Sequence, residues 1–110
     1  MEKIYNKLVR DKIPEIIEND GEIVFTHVLS DAEYRLELYK KLNEECMEVA
    51  ASKTSKETLE ELADVLEVLR TIALLENSQL EDIIQIADKK KEKRGGFQKR
   101  IFLEKTLAKK

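Results

Sequence analysis

The sequence predicts an all-α protein, an antiparallel helical bundle of three long helices preceded by one short helix and assembled as an oligomer. Three observations predict it. A Ser or Thr followed three residues later by Glu occurs at Ser30/Glu33, Thr54/Glu57 and Ser78/Glu81, the spacing at which each side chain can cap the other's free backbone N–H. Each pair opens a stretch of Leu, Glu, Lys and Ala that holds no Gly or Pro until Gly95-Gly96, a composition that favours helix and a natural stop. The links between stretches are a few residues long, which makes successive helices run antiparallel.

In chain order, the segment from Lys12 through Pro14 to Glu18 is expected to form the short helix, with Pro14 in its first turn and Gly21 just past its end. Residues 22–28, Glu-Ile-Val-Phe-Thr-His-Val, are β-branched and aromatic, and are expected to be extended, as a lone arm or as a strand paired across subunits. The long helices are expected at about 31–52, 55–76 and 79–94. The last ends in a basic run from Lys89 to Arg94, followed by Gly95-Gly96-Phe97 and a tail whose Ile101, Phe102 and Leu103 are candidates for docking back.

At 110 residues, residues 1–110 are read as a single domain. Hydrophobic residues at 42% and charged residues at 39%, with three Gly and one Pro, exclude a disordered or linker-rich chain. No apolar run approaches the roughly 18 residues of a membrane span, and the first ten residues hold no apolar leader core, so a cytoplasmic protein is expected. Cys46 is the only cysteine, so no intrachain disulfide or cysteine-built zinc site can form, and a packing role is expected for it. A net charge of -3 argues against nucleic-acid polymers and anionic membranes as partners. His27 stands alone in the extended segment, without a neighbouring nucleophile, and reads as structural.

The acids carry the chemistry. Along residues 55–76 the polar face holds Glu60, Glu67 and Thr71, while apolar residues occupy nearly everything else. Glu61 then projects between Val68 and Ile72, and Asp64 lies beside Leu75, so two acids one turn apart meet apolar surface. A carboxylate there is normally protonated, paired or bound to a cation. The first long helix supplies Glu44, Glu45 and Glu48, with Glu45 adjoining the arc of Leu38, Leu42, Cys46 and Val49. Three-residue spacing places Glu45 with Glu48, and Glu61 with Asp64, on one side of each helix, although on a bare wheel Glu48 points away from the arc. Packed antiparallel, these helices can bring four carboxylates together, a hard oxygen set that selects Mg²⁺ or Mn²⁺. Without an ion, two unit charges at 4 Å oppose each other by about 4 kcal/mol at an effective dielectric near 20. Glu44 and Glu60 are read as members of a solvated face.

The pattern Glu-Glu-x-x-Glu, twelve residues, then Glu-x-x-Asp stands here as Glu44-Glu45-Cys46-Met47-Glu48 and Glu61-Leu62-Ala63-Asp64. It resembles the metal motif of the all-alpha NTP pyrophosphohydrolases, shared by the MazG-like and phosphoribosyl-ATP pyrophosphohydrolase branches. The flanks Tyr5-Asn6-Lys7-Leu8-Val9-Arg10-Asp11-Lys12-Ile13-Pro14 and Arg94-Gly95-Gly96-Phe97 resemble a small MazG-like subgroup of house-cleaning type. The resemblance implies Glu45, Glu48, Glu61 and Asp64 as metal ligands. It also implies hydrolysis of a nucleoside triphosphate between the alpha and beta phosphates, giving monophosphate and pyrophosphate. Such a displacement asks the protein for metal ions and positioning more than for covalent chemistry. Glu44 and Glu45 are the candidates for general base. For the triphosphate, Lys7, Arg10 and Lys12 near the amino end, and Lys93 and Arg94 before the glycines, are the cationic candidates; the last two serve equally to complement the helix dipole, the role assigned to Lys89–Lys91.

Two alternatives stand beside this reading: phosphoribosyl-ATP as substrate, since nothing in the motif reads base or ribose, and a non-catalytic helical module that oligomerises or binds a partner. The second long helix has too little polar face for a monomer's exterior, so a homodimer or homotetramer is expected in either case.

Overall fold

A computed structural model describes residues 1–110. The chain is all-helical with no strand: α1 (Ile13–Asn19), α2 (Asp31–Ala51), α3 (Ser55–Leu75) and α4 (Leu80–Arg94). Residues 22–28 form neither helix nor strand, because no second extended segment lies beside them to satisfy a ladder of backbone bonds.

The helix starts follow local chemistry. At α2 the full reciprocal cap forms: Ser30 Oγ accepts from the Glu33 N–H, and Glu33 Oε1 accepts from the Ser30 N–H at 3.2 Å. At α3 half of it forms. Thr54 Oγ1 accepts from the Glu57 N–H at 3.1 Å, while the Glu57 carboxylate reaches one residue further back, to the Lys53 N–H at 2.9 Å.

At α4 the cap is shifted by one residue from the Ser78/Glu81 expectation. Gln79 is the cap residue, and Asp82 Oδ2 accepts its N–H at 2.8 Å. The reason lies in how α3 ends. Asn77 takes the left-handed conformation with φ 54°, the Asn77 N–H donates to Leu74 O and the Ser78 N–H to Ala73 O. Ser78 is thereby used to terminate α3, a 6→1 closure that satisfies the last carbonyls. α4 itself stops where expected, at Gly95, whose φ of 83° admits no side chain without strain.

α2 and α3 form a hairpin. At its turn, Ser52 Oγ donates to Val49 O and shares a 2.7 Å hydrogen bond with Thr58 Oγ1; at its open end, Arg35 pairs with Glu76 at 2.8 Å. Leu38 and Val68 are buried in this pair, and Ala73 and Leu80 complete the buried apolar set. α4 touches α3 alone, and after Leu80 every residue to Lys110 is exposed. The tail therefore does not dock back: Ile101, Phe102 and Leu103 are exposed because α4 carries them away from the hairpin. Cys46 is exposed rather than packed.

The chain is extended for its length. Its radius of gyration is 19.2 Å, against about 13 Å for a compact domain of this size. Its accessible surface is 10666 Å², against about 6,300 Å² for a compact monomer of equal mass. Leu59, Leu62 and Leu66, on one side of α3, are among the exposed apolar residues. No helix is long and apolar enough to cross a membrane.

Candidate metal centre

The site lies on the middle of the hairpin, where α2 presents Glu45 and α3 presents Glu61 and Asp64. One carboxylate oxygen of each lies within 4.8 Å of the others. Sequence spacing explains the pairing on α3, since residues three apart share a face; the hairpin register brings Glu45 opposite. Glu45 is 9% exposed, the one buried charged residue in the chain.

Two of the three acids have cationic partners. Lys41 Nζ lies 3.5 Å from Glu45 and 3.6 Å from Glu44. Arg10 Nη2 donates to Asp64 Oδ1 at 2.7 Å. Glu61 has neither an ion pair nor a hydrogen bond, although it is half-buried. Burial first, then the charges of Asp64, Glu48, Glu45 and Glu60, push its carboxyl above its ordinary value of 4.5. The negative charge of this cluster is thus concentrated on a group with nothing to balance it.

The other acids of the sequence motif stand around this trio. Glu48 is exposed and outside it; with Ala51, Ser52, Glu57 and Glu61 it lines a small cavity of about 130 Å³ beside the cluster. Its outward position on the helical wheel and its influence on Glu61 are both real, because Glu48 sits at the rim of the hairpin. Glu44 also lies outside the trio, held by Lys41 and by Lys7 at 3.6 Å. Glu60 is exposed, as a solvated face requires.

The basic residues divide. Lys7 and Arg10 reach the acids from the amino-terminal arm, bonding α2 and α3 respectively. Lys12 is exposed at the start of α1 and makes no ion pair. Lys93 and Arg94, at the far end of α4, make no bond to the cluster, and neither do Lys89–Lys91. His27 is exposed in the 22–30 connection.

Lys41 is not among the candidates named from the sequence. Its signal is nevertheless there: it precedes Glu44 by three residues and Glu45 by four, the two spacings at which helical side chains meet. Glu57 caps the start of α3 through its backbone N–H, and its place beside Glu48 and Glu61 depends on the α2–α3 turn.

The donor set consists of carboxylate oxygens alone, with one member unpaired, which fits a hard divalent cation such as Mg²⁺ or Mn²⁺ and offers nothing to a soft metal.

No family model matches the sequence, and no solved structure matches it. A protein of Mycolicibacterium smegmatis (strain ATCC 700084 / mc(2)155), described as an uncharacterized protein, is similar to it, with 44% identity over 54 residues. The match covers 49% of this chain and 55% of that protein, so the chain spans about half the length of the curated relative it matches.

Proposed function

We propose that the protein is a Mg²⁺-dependent nucleoside triphosphate pyrophosphohydrolase of MazG-like type, with Mn²⁺ as an alternative ion. The observation that carries this reading is Glu61: half-buried, without a cation or donor of its own, and held near two other acids, Glu45 and Asp64, in a cluster of hard oxygens. A purely structural cluster would be paired throughout or turned into water. The resemblance of residues 44–48, 61–64 and both flanks to that superfamily supplies the reaction.

In this reading Glu45, Glu61 and Asp64 would hold the ion, with Glu48 as the fourth ligand that the resemblance implies. When bound, the ion neutralises charge developing on phosphate oxygens and lowers the pKa of water. Water oxygen attacks the alpha phosphorus, and the bond from that phosphorus to the bridging oxygen breaks. Pyrophosphate leaves with the electron pair, and the proton of the attacking water passes to a carboxylate. Glu44 and Glu45 are the proposed acceptors. Lys7 and Arg10, on the arm beside the acids, and Lys12, at the start of α1, orient the anionic chain of the substrate as point charges or a bidentate fork.

We further propose that the working form is a homodimer or homotetramer in which the three long helices complete an antiparallel bundle. The surface of one chain exceeds that of a compact monomer by about 4,400 Å², more than the roughly 1,000–2,500 Å² that each partner commonly buries in a permanent interface. Charge supports association between copies: residues 1–88 hold 10 basic and 21 acidic residues, whereas 89–110 hold 10 basic and 2 acidic. In such an assembly Lys93 and Arg94 approach the acids of a neighbouring copy rather than of their own.

The test is release of pyrophosphate from a panel of common and modified nucleoside triphosphates, with phosphoribosyl-ATP alongside, in Mg²⁺ and in chelator. Release that depends on the ion and is lost in Glu61→Gln is the expected result. No release from any substrate by a protein that binds the ion would refute it in favour of a helical interaction module.

A further inference from the structure

The amino-terminal arm and the candidate ion compete for one carboxylate, and this rests on the metal-centre reading above. The arm is seated rather than loose. Leu8 and Val9 are half-buried, and on either side of them Lys7 pairs with Glu44 of α2 and Arg10 with Asp64 of α3. Asn6 turns the chain with φ 45°, and the Ile13 N–H donates to Arg10 O at 3.0 Å, which ties the arm to the start of α1.

Arg10 Nη2 lies 2.7 Å from Asp64 Oδ1, a distance at which the guanidinium occupies that oxygen's outer face. Asp64 is also one of the three acids whose oxygens converge. A guanidinium and a divalent ion drawn to the same small carboxylate repel each other, and each neutralises the charge that attracts the other.

We infer that Arg10 acts as a built-in counter-ion that holds Asp64 until a divalent cation displaces it. The freed guanidinium is then available to an anionic ligand. Cation binding therefore precedes engagement of the arm with phosphate, and the arm is a positioning element whose partner changes from carboxylate to substrate. The side chains of Arg10 and Asp64 are 56% and 41% exposed, so their pairing is weak and readily exchanged. Its loss corresponds to a gain of about two- to fivefold in ion affinity, or roughly 0.4–1 kcal/mol at 1.4 kcal/mol per decade.

The experiment titrates the full-length protein with Mn²⁺ alone, without nucleotide, and reads free Mn²⁺ by electron paramagnetic resonance. Wild type is compared with Arg10→Ala and Arg10→Gln, and with Lys12→Ala, which removes a charge from the same stretch of chain at a residue that makes no ion pair. Circular dichroism confirms the helical content of each. The expected result is Mn²⁺ binding about two- to fivefold tighter in both Arg10 variants, with a clearly smaller gain in Lys12→Ala. Unchanged or weaker binding in the Arg10 variants overturns the competition and leaves the metal centre standing. An equal gain in Lys12→Ala also overturns it, because general charge then explains the effect. A wild type that binds no Mn²⁺ overturns both.

Discussion

Replacing Glu61 by Gln is expected to invert the protein's response to magnesium. Three carboxylates meet within 4.8 Å. Lys41 offsets Glu45 and Arg10 offsets Asp64, which leaves Glu61 as the uncompensated charge. Its carboxyl is raised by burial first and by Asp64, Glu48, Glu45 and Glu60 after that. A raised acid binds its proton more tightly when folded than when unfolded. Its stabilising contribution is present in full below the unfolded value of 4.5 and is lost as pH rises through the folded value. Glutamine keeps the shape and discards the charge, so the variant melts above wild type at pH 7 in chelator, and the gap closes as pH falls below 4.5. Magnesium reverses the order. An ion present at a hundredfold excess over its dissociation constant stabilises by about 2.7 kcal/mol. At about 4 °C per kcal/mol for a chain of this size, wild type gains about 10 °C. The variant, lacking the ligand with the least competition, gains little. Melting followed by circular dichroism at fixed protein concentration, at pH 7 and pH 4, with and without Mg²⁺, reads all of these values. A variant that melts below wild type in chelator, or that gains as much from Mg²⁺ as wild type does, refutes the reasoning.

Two further outcomes are expected. Light scattering coupled to size exclusion should give two or four times the 12.8 kDa chain mass, since the isolated chain leaves Leu59, Leu62 and Leu66 of α3 exposed; a stable monomer at micromolar concentration contradicts the proposed assembly. Ser30→Ala should cost about 1 kcal/mol in urea unfolding, because it removes the acceptor for the Glu33 N–H, whereas Ser78→Ala should cost much less, since the Ser78 side chain caps no helix and the backbone N–H that closes α3 is kept. Equal losses in the two variants would contradict the assignment of the α4 cap to Gln79.

Much of the chain was legible from local rules. Helix boundaries depend on neighbours within a few residues, so the Ser30/Glu33 cap, the start of α3 after Thr54 and the stop at Gly95 follow from the order of residues. The α4 cap was misplaced by one residue because Ser78 satisfies two local rules at once, and the ending of α3 takes it. The same limit applies to Glu61 and Asp64. Their shared face is fixed by a period of 3.6 residues.

What the order of residues leaves open is everything that depends on register between distant segments. That Glu45 rather than Glu48 meets Glu61 and Asp64 is settled by how α2 slides against α3. Arg10 is 54 positions from Asp64, and its bond exists because the arm folds across the hairpin. Lys93 and Arg94 share a chain with the acids yet stand apart from them, because α4 leaves α3 after Leu80. Local backbone preferences act over one or two turns and are written into neighbouring residues. The meeting of charges across helices is a balance of packing and electrostatics that only the assembled fold resolves.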